Sequence, residues 1–169
     1  MATSLHDTYL TGLKNAHALE KQAIQLLSRQ LERLENYPEM SAMISTHIKE
    51  SEDQAMRLEQ ILERHGTSNS VLKDFVTSLS GNMAAIAHMP MQDEVLKNTF
   101  ANYAFEHFEI AAYKSLIALA EAVGDTQAIP VLEQSMAEEV KTAKLIEASI
   151  KKTTLEYAHR EAAGMTAGV

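Results

Sequence analysis

Four long segments of this chain repeat apolar residues every three or four positions, which is the spacing of one face of an α-helix. They cover about residues 4–36, 38–65, 93–122 and 126–152. Glycine and proline, which break helices, occur only 6 and 3 times in 169 residues. No segment has an alternating β-strand pattern that competes with this helical repeat. The sequence therefore predicts an all-α fold built from four long helices.

Several residues mark where these helices begin and end. Ser4 followed by Asp7 is a capping pair for the first helix. Pro38 suits the first turn of the second helix, and Gly66 suits its carboxyl end. Pro130 lies near the start of the fourth segment and predicts a kink or a late start there.

The second and third helices are joined by a connection of nearly thirty residues, 66–92, with a short helix expected near 71–79. A connection of this length is unusual in a simple up-and-down bundle and is what a bundle with one long crossover requires. We expect residues 1–155 to form this bundle domain. Residues 156–169 lose the apolar repeat and are predicted to be a mobile tail.

Composition excludes several classes of function. The net charge of −8 and the pI of about 5.3 argue against nucleic-acid binding, which needs clustered lysine and arginine. The absence of cysteine excludes disulfides, thiolate catalysis, cysteine-ligated zinc and iron–sulfur clusters. No secretory signal and no membrane-spanning run is visible. We therefore expect a cytoplasmic protein that contacts neither nucleic acid nor membrane.

Each long helix carries one glutamate within its apolar stripe. The four are Glu20, Glu50, Glu106 and Glu139. A carboxylate that faces a core is unfavourable unless it is paired, protonated or bound to a metal. The spacing repeats between the two halves of the chain, at 30 and 33 residues, which places the four glutamates at one level of the bundle. Oxygen ligands converging there would bind two metal ions, and they suit iron, manganese or magnesium.

Two further acidic residues extend this set. Glu109 lies three positions after Glu106, and Asp53 lies three positions after Glu50, so each is a neighbour on its own helix. His17, His47 and His107 lie within a turn of the glutamates. They could act as ligands or hydrogen-bond to the ligands, although such histidines are more often structural.

Four short pieces carry a family resemblance. They read ALEKQ at 18–22, HIKES at 47–51, EHFEIAAY at 106–113 and EEVKT at 138–142. With these pieces, about residues 5–152 resemble the ferritin-like four-helix proteins, and among them the YciE/YciF-like family. The resemblance maps metal-ligand positions onto this chain, and these are Glu20, Glu50, Glu106, Glu109 and Glu139. Asp53 and Thr142 stand where the wider pattern has histidine; aspartate can still ligate, whereas threonine is a poor ligand.

The resemblance also implies a function. It implies a bacterial, stress-associated protein with a dinuclear iron or manganese site that acts on O2 or peroxide. By analogy, Glu20 and Glu106 would be terminal ligands, Glu50 and Glu139 would bridge the ions, and Glu109 would shift between positions.

Two other interpretations stay open. The glutamates could be flank residues in ordinary salt bridges, which would remove the metal site. The chain could also be a non-enzymatic helical bundle, which would act by self-association or by binding a partner and whose metal site would be empty or structural. The two missing histidines favour this alternative, and the acidic cluster opposes it. Leu26 and Leu116, read as lying outside the main stripes, predict a homodimer.

Overall fold

A computed structural model of the chain describes residues 4–68 and 93–167, and within these ranges it contains four α-helices and no strand. The helices are α1 (Leu5–Leu31), α2 (Pro38–Arg64), α3 (Glu94–Val123) and α4 (Ile129–Ala162). The predicted all-α class is confirmed. The short helix expected near 71–79 lies outside the described residues.

The helix ends follow the capping signals of the sequence. The Ser4 hydroxyl accepts a hydrogen bond from the Asp7 backbone N–H (3.0 Å), and the Asp7 carboxylate accepts one from the Ser4 backbone N–H (3.1 Å). Pro38 is the first residue of α2. Gly66 follows that helix with φ of +78°, a conformation that glycine adopts without strain.

The fourth helix starts later and ends later than its apolar repeat suggests. It begins at Ile129 with Pro130 in its first turn, in agreement with the late start expected there. It continues to Ala162, beyond the predicted end near residue 152. Past it, the Tyr37 hydroxyl donates a 2.6 Å hydrogen bond to the carbonyl of Ala167, which is buried. The predicted domain boundary after residue 155 falls inside this helix, and the domain division itself stays a prediction.

Contacts at both ends show that α1 and α3 are antiparallel. Just after α1, the Arg33 guanidinium binds Glu94 at the start of α3 (2.8 and 3.0 Å). Near the beginning of α1, the Tyr9 hydroxyl donates to Asp125, just after α3 (3.0 Å). The two helices therefore run side by side in opposite directions.

The same argument applies to α2 and α4. Lys152 in the second half of α4 pairs with Glu39 at the start of α2, and Arg64 at the end of α2 binds Gln127 just before α4 (2.7 Å). Since α1 and α2 are joined by a short turn, α2 and α3 point in the same direction. The connection between them joins opposite ends of the bundle, which is the ferritin-like arrangement with one long crossover.

Two apolar clusters fill the two ends of the bundle. One contains Tyr9, Leu13, Leu58, Ile61, Leu62, Leu116 and Leu132. The other contains Leu27, Leu34, Tyr37, Met40, Ile44 and Val95. A polar layer, described below, lies between them, so the middle of the bundle is not an ordinary hydrophobic core.

One of the two residues predicted for the dimer face is buried inside the bundle. Leu116 is 2% exposed and belongs to the first apolar cluster, because Gly12 of α1 leaves room for its side chain. Leu26 is half-buried. The homodimer stays a prediction, and Leu116 cannot be part of its surface. None of the helices in the described ranges is long and apolar enough to cross a bilayer.

Candidate metal centre

The polar layer consists of acidic side chains that are almost completely shielded from solvent. Glu20 of α1 is 1% exposed, Glu106 and Glu109 of α3 are 2% and 1% exposed, and Glu139 of α4 is 0% exposed. His47 of α2 completes the layer at 3%. Each helix therefore contributes at least one ionisable group to one buried region. The prediction that the glutamates of α1, α3 and α4 face the interior agrees with this placement.

These residues turn inward because each continues the stripe of its helix. In α3 the buried positions run from Glu106 through Glu109 and Ile110 to Tyr113, at helical spacing. In α1, Glu20 lies between the buried residues Leu13 and Leu27. Rotating a carboxylate out to water would break the apolar register on both sides.

Four of these side chains are close enough to share one metal ion. One ligand atom from each of His47, Glu106, Glu109 and Glu139 can be chosen so that all lie within 4.8 Å of one another. Two ligands on opposite sides of a small divalent ion lie about 4.2 Å apart, since each bond is about 2.1 Å long. The group is therefore only slightly wider than a coordination sphere.

Hydrogen bonds satisfy little of this layer. The Tyr113 hydroxyl donates to one oxygen of Glu20 (2.6 Å). His47 Nε2 lies 3.2 Å from one oxygen of Glu106, within ion-pair distance but without the geometry of a hydrogen bond. Among the protein atoms described, the remaining carboxylate oxygens of the four glutamates have no hydrogen-bond partner. They are Glu20 Oε2, Glu106 Oε2 and both oxygens of Glu109 and Glu139. In the described ranges no lysine or arginine is buried, so the layer lacks a fixed cation.

Burial and mutual repulsion change the acidity of these groups. Burial raises the pKa of Glu20 to about 7, although the hydrogen bond from Tyr113 opposes this change. Burial, reinforced by the neighbouring carboxylates, also raises the pKa of Glu109 and of Glu139. For His47, burial alone would lower the pKa, but Glu106, together with the charges of Glu20 and Glu50, outweighs burial and raises the pKa. Without a metal, this layer therefore retains protons at pH values where exposed carboxyls have lost them.

The donor set fits a metal of the iron or manganese type. Carboxylate oxygens with an imidazole nitrogen suit these ions, whereas soft thiolate ligands are missing. A buried cluster of histidine and glutamate in this chain can therefore hold a metal. The partnerless oxygens are the positions at which such an ion would bind.

Glu50 lies at the rim of the layer instead of inside it. Its side chain is 20% exposed, and one oxygen binds the exposed Lys141 (2.7 Å). The other oxygen lies 3.6 Å from His47 Nδ1 and 3.5 Å from the Thr142 hydroxyl. The interior stripe of α2 passes through His47, Ser51, Gln54 and Leu58, and Glu50 is on its edge.

The structure does not bring Asp53 into the cluster, because Asp53 is exposed. At about 100° per residue, Asp53 points roughly 120° away from the direction of His47 on α2, while Ser51 and Gln54 stay within about 40° of it. Asp53 does lie one turn after Glu50 on α2, as predicted. Glu50 is itself at the edge of the buried stripe, however, so Asp53 lies outside it.

Of the three histidines left open by the sequence, only His47 joins the layer. His17 is buried, and its Nε2 lies 2.7 Å from Glu59, away from the cluster; burial lowers its pKa. His107 is exposed and stacks edge-on against Tyr103, with 4.7 Å between ring centroids. The sequence indicated His47 by its place in the apolar stripe of α2. His17 has an equivalent place in α1, so the stripes could not predict which of the two histidines joins the layer.

Comparison with known proteins shows the family to which this chain belongs. The family model described as "Domain of unknown function (DUF892)" matches residues 4–159, which include the whole polar layer. The chain belongs to the DUF892 family.

Two relatives support this DUF892 assignment. Protein YciF of Escherichia coli strain K12 is 26% identical over 150 residues, which span 82% of this chain and 86% of YciF. A crystal structure of a Xanthomonas campestris pv. campestris protein superimposes with a TM-score of 0.79 at 25% identity, over 94% of this chain and 99% of that one. The crystal structure of YciF, described as an E. coli stress protein, has a TM-score of 0.69 at 23% identity, over 88% and 96% of the two chains. The predicted YciE/YciF-like resemblance is confirmed.

Proposed function

We propose that this DUF892 protein binds two iron or manganese ions in its buried carboxylate layer and uses them on O2 or peroxide in a stress response. The observation that carries this proposal is the set of buried carboxylate oxygens without a hydrogen-bond partner among the described protein atoms. A buried carboxyl group is satisfied by pairing, by protonation or by a metal ion, and no buried lysine or arginine of the described ranges supplies the pairing. The description of its relative YciF as a stress protein supports the physiological part.

Charge balance supports two ions instead of one. Four buried carboxylates carry four negative charges, and a histidine that binds a metal is neutral. Two divalent ions would neutralise the layer, whereas one ion would leave a net negative charge shielded from water. Buried uncompensated charge is strongly destabilising.

The ligand assignment follows the distances. His47, Glu106, Glu109 and Glu139 are assigned to one ion, since they supply the group of donor atoms within 4.8 Å. Glu20, the remaining buried glutamate, is not in this group, so we assign it to the second ion. Because Glu50 is at the rim and paired with Lys141, we assign it as an exchangeable ligand. Asp53 is left out because it is exposed.

Bound iron or manganese would supply the electrons for O2 or peroxide chemistry. The chain's own residues hold and orient the ligands. Tyr113 fixes one oxygen of Glu20, and the Thr142 hydroxyl lies 3.2 Å from His47 Nδ1, which leaves Nε2 directed at Glu106. The apolar clusters at both ends exclude water from the layer.

The test is metal content. Protein purified without an affinity tag and without chelator, then reloaded with Fe(II) or Mn(II), is expected to hold about two ions per chain. The double substitution Glu106→Gln, Glu139→Gln is expected to lose them while helicity by circular dichroism is kept. The matched control Glu52→Gln, Glu63→Gln changes the charge equally on exposed positions and is expected to keep the metal. Peroxide consumption by the loaded protein, lost in the first variant only, would then establish turnover.

One observation favours the non-enzymatic alternative. The pairs His47–Glu106 and Lys141–Glu50 supply positive charge to the site without any metal. If neither ion binds after reloading, the metal proposal fails, and the bundle acts through self-association or a partner. The homodimer is tested by light scattering, where a single species of monomer mass would contradict it. The cytoplasmic location and the absence of nucleic-acid binding stay predictions.

A further inference from the structure

A second group of ionisable side chains lies at one end of the bundle, outside the carboxylate layer. His6 comes from the first turn of α1, His65 caps the end of α2, and Asp125 lies in the turn between α3 and α4. His6 Nε2 is 3.1 Å from His65 Nδ1, and His65 Nε2 is 2.9 Å from Asp125 Oδ2. Three separate parts of the chain therefore meet in a line of polar contacts.

The contact with Asp125 determines which nitrogen of His65 is free to bind a metal. An ionised carboxylate only accepts hydrogen bonds, so His65 Nε2 carries the proton that it donates to Asp125. In a neutral imidazole the other nitrogen, Nδ1, then carries a lone pair. This lone pair faces His6, whose Nε2 lies 3.1 Å away.

His65 is held in this orientation before any ion arrives. The Tyr9 hydroxyl donates to the same oxygen of Asp125 (3.0 Å), and the Tyr9 ring packs edge-on against His65 at 5.6 Å. The side chain of His65 is 20% exposed and that of Asp125 is 11% exposed, so the pair is partly shielded. His6 is exposed and can turn about its side-chain bonds.

The spacing of the two histidine nitrogens suits one ion. Adjacent nitrogens on an ion with bonds of 2.0–2.1 Å lie about 2.8 to 3.0 Å apart in octahedral geometry and about 3.3 to 3.4 Å apart in tetrahedral geometry. The separation of 3.1 Å lies between these values, so a small rotation of His6 would reach either geometry. An ion would replace the proton shared by the two rings, and rotation of the exposed His6 would bring both lone pairs onto it.

We propose that His6 and His65 form a second metal site for a borderline ion such as Zn(II) or Cu(II), with Asp125 positioning His65. A ligating histidine that donates its other N–H to a carboxylate is a recurrent arrangement in metal sites, and the carboxylate makes the imidazole a stronger ligand. Water completes the coordination. Paired imidazoles suit zinc and copper, whereas the oxygen-rich interior suits iron and manganese. The chain would thus hold two sites of different preference, and an ion at this one would tie the start of α1 to the end of α2.

The test uses full-length protein without an affinity tag and with the interior site removed by Glu106→Gln and Glu139→Gln. Zn(II) affinity is measured by competition with a chromogenic chelator, and Cu(II) is examined by electron paramagnetic resonance for nitrogen ligands. Adding His6→Ala is expected to weaken Zn(II) binding at least about tenfold and to reduce the coordinated nitrogens from two to one. Asp125→Asn is expected to weaken binding about 10- to 100-fold with both nitrogens kept.

His159→Ala is the matched control, because it removes an exposed histidine from a different part of the structure. Equal Zn(II) affinity in the His6→Ala and His159→Ala proteins would overturn the proposal. So would Zn(II) binding that disappears with the interior substitutions alone. The fate of the proposed interior site is read separately, from Fe(II) and Mn(II) content in His6→Ala protein with its glutamates intact.

Discussion

Protonation of Glu20 makes the stability of the metal-free protein depend on pH in an unusual direction. Its pKa is raised from 4.5 to about 7 by burial, so between these values the folded chain keeps a proton that the unfolded chain has lost. The free energy of unfolding therefore falls as pH rises through this window, and the share of this loss that comes from Glu20 is complete above about pH 7. Glu109 and Glu139, whose pKa values are also raised, act in the same direction. His47, whose pKa is also raised, contributes stability at low pH that is lost as pH rises and so acts in the same direction.

The size of the effect follows from the shift. A change of about 2.5 pKa units, at about 1.4 kcal/mol each, makes Glu20 alone responsible for a loss of about 3 kcal/mol between pH 4.5 and 7. For a chain of this length that is a fall in melting temperature of roughly 6 to 12 °C. The shift belongs to a group of interacting carboxyls, so the whole layer shares the titration.

The assay is urea unfolding followed by circular dichroism at half-unit steps from pH 4.5 to 8, in the presence of EDTA. Glu20→Gln removes the titrating group while its amide oxygen can still accept the hydrogen bond from Tyr113. We expect this variant to be more stable than the wild type at pH 7.5 and to have a flatter profile. Glu52→Gln, at an exposed position, is the charge-matched control and should follow the wild type. Metal-free stability that rises between pH 5 and 7.5 in the wild type, or parallel profiles for the wild type and Glu20→Gln, would refute the reasoning.

Three further changes test the layer and its surroundings. Tyr113→Phe leaves an oxygen of the buried Glu20 unpaired, so the free energy of unfolding of the metal-free protein in urea should fall by about 1–3 kcal/mol. Tyr103→Phe, which removes the hydroxyl of a half-buried tyrosine, is the control and should change it little. Gly12→Leu should destabilise by about 1–3 kcal/mol, because a Cβ at this position already comes within 2.9 Å of Leu116 Cδ2; unchanged stability would contradict the close packing of α1 against α3. Mn(II) at 100 times its dissociation constant should stabilise the protein at pH 7.5 by about 2.7 kcal/mol for each ion bound, and EDTA should reverse this. A melting temperature that changes with neither Mn(II) nor EDTA would argue against a metal site in the folded state.

Much of the fold was predictable because its signals are local. The apolar repeats, the Ser4 cap, Pro38 and Gly66 each act within a few residues, and the structure confirms them. The end of α4 was harder to predict. Its last turns are stabilised by contacts distant in sequence, such as that of Tyr37 with Ala167, and no periodicity reports such contacts.

The site was predictable in part, for a geometric reason. A helical stripe defines direction only to within about one residue, or about 100° of rotation. That precision is enough for Glu106, which has buried neighbours on both sides in its stripe, and too coarse for Glu50, which turns out to lie at the rim next to Lys141. The choice between His17 and His47 depends on which acidic partner each meets across the bundle, and this is a property of the assembled helices.

The polar layer has a consequence for how metal binding and folding are coupled. His47 can neutralise at most one of the four buried carboxylates, so without metal the layer must hold protons to avoid buried negative charge. Protons and metal ions therefore compete for the same oxygens: acid stabilises the empty form, and rising pH destabilises it while strengthening its affinity for cations. Near neutral pH the metal-free bundle is expected to be the less stable form and the loaded bundle the more stable one. A protein whose buried acidic residues did not form a metal site would not be stabilised by added metal. We therefore compare the pH profile of stability without metal with the profile in the presence of metal. Metal-free stability that falls with pH, together with greater stability of the loaded form near neutral pH, distinguishes a metal site from an incidental acidic cluster.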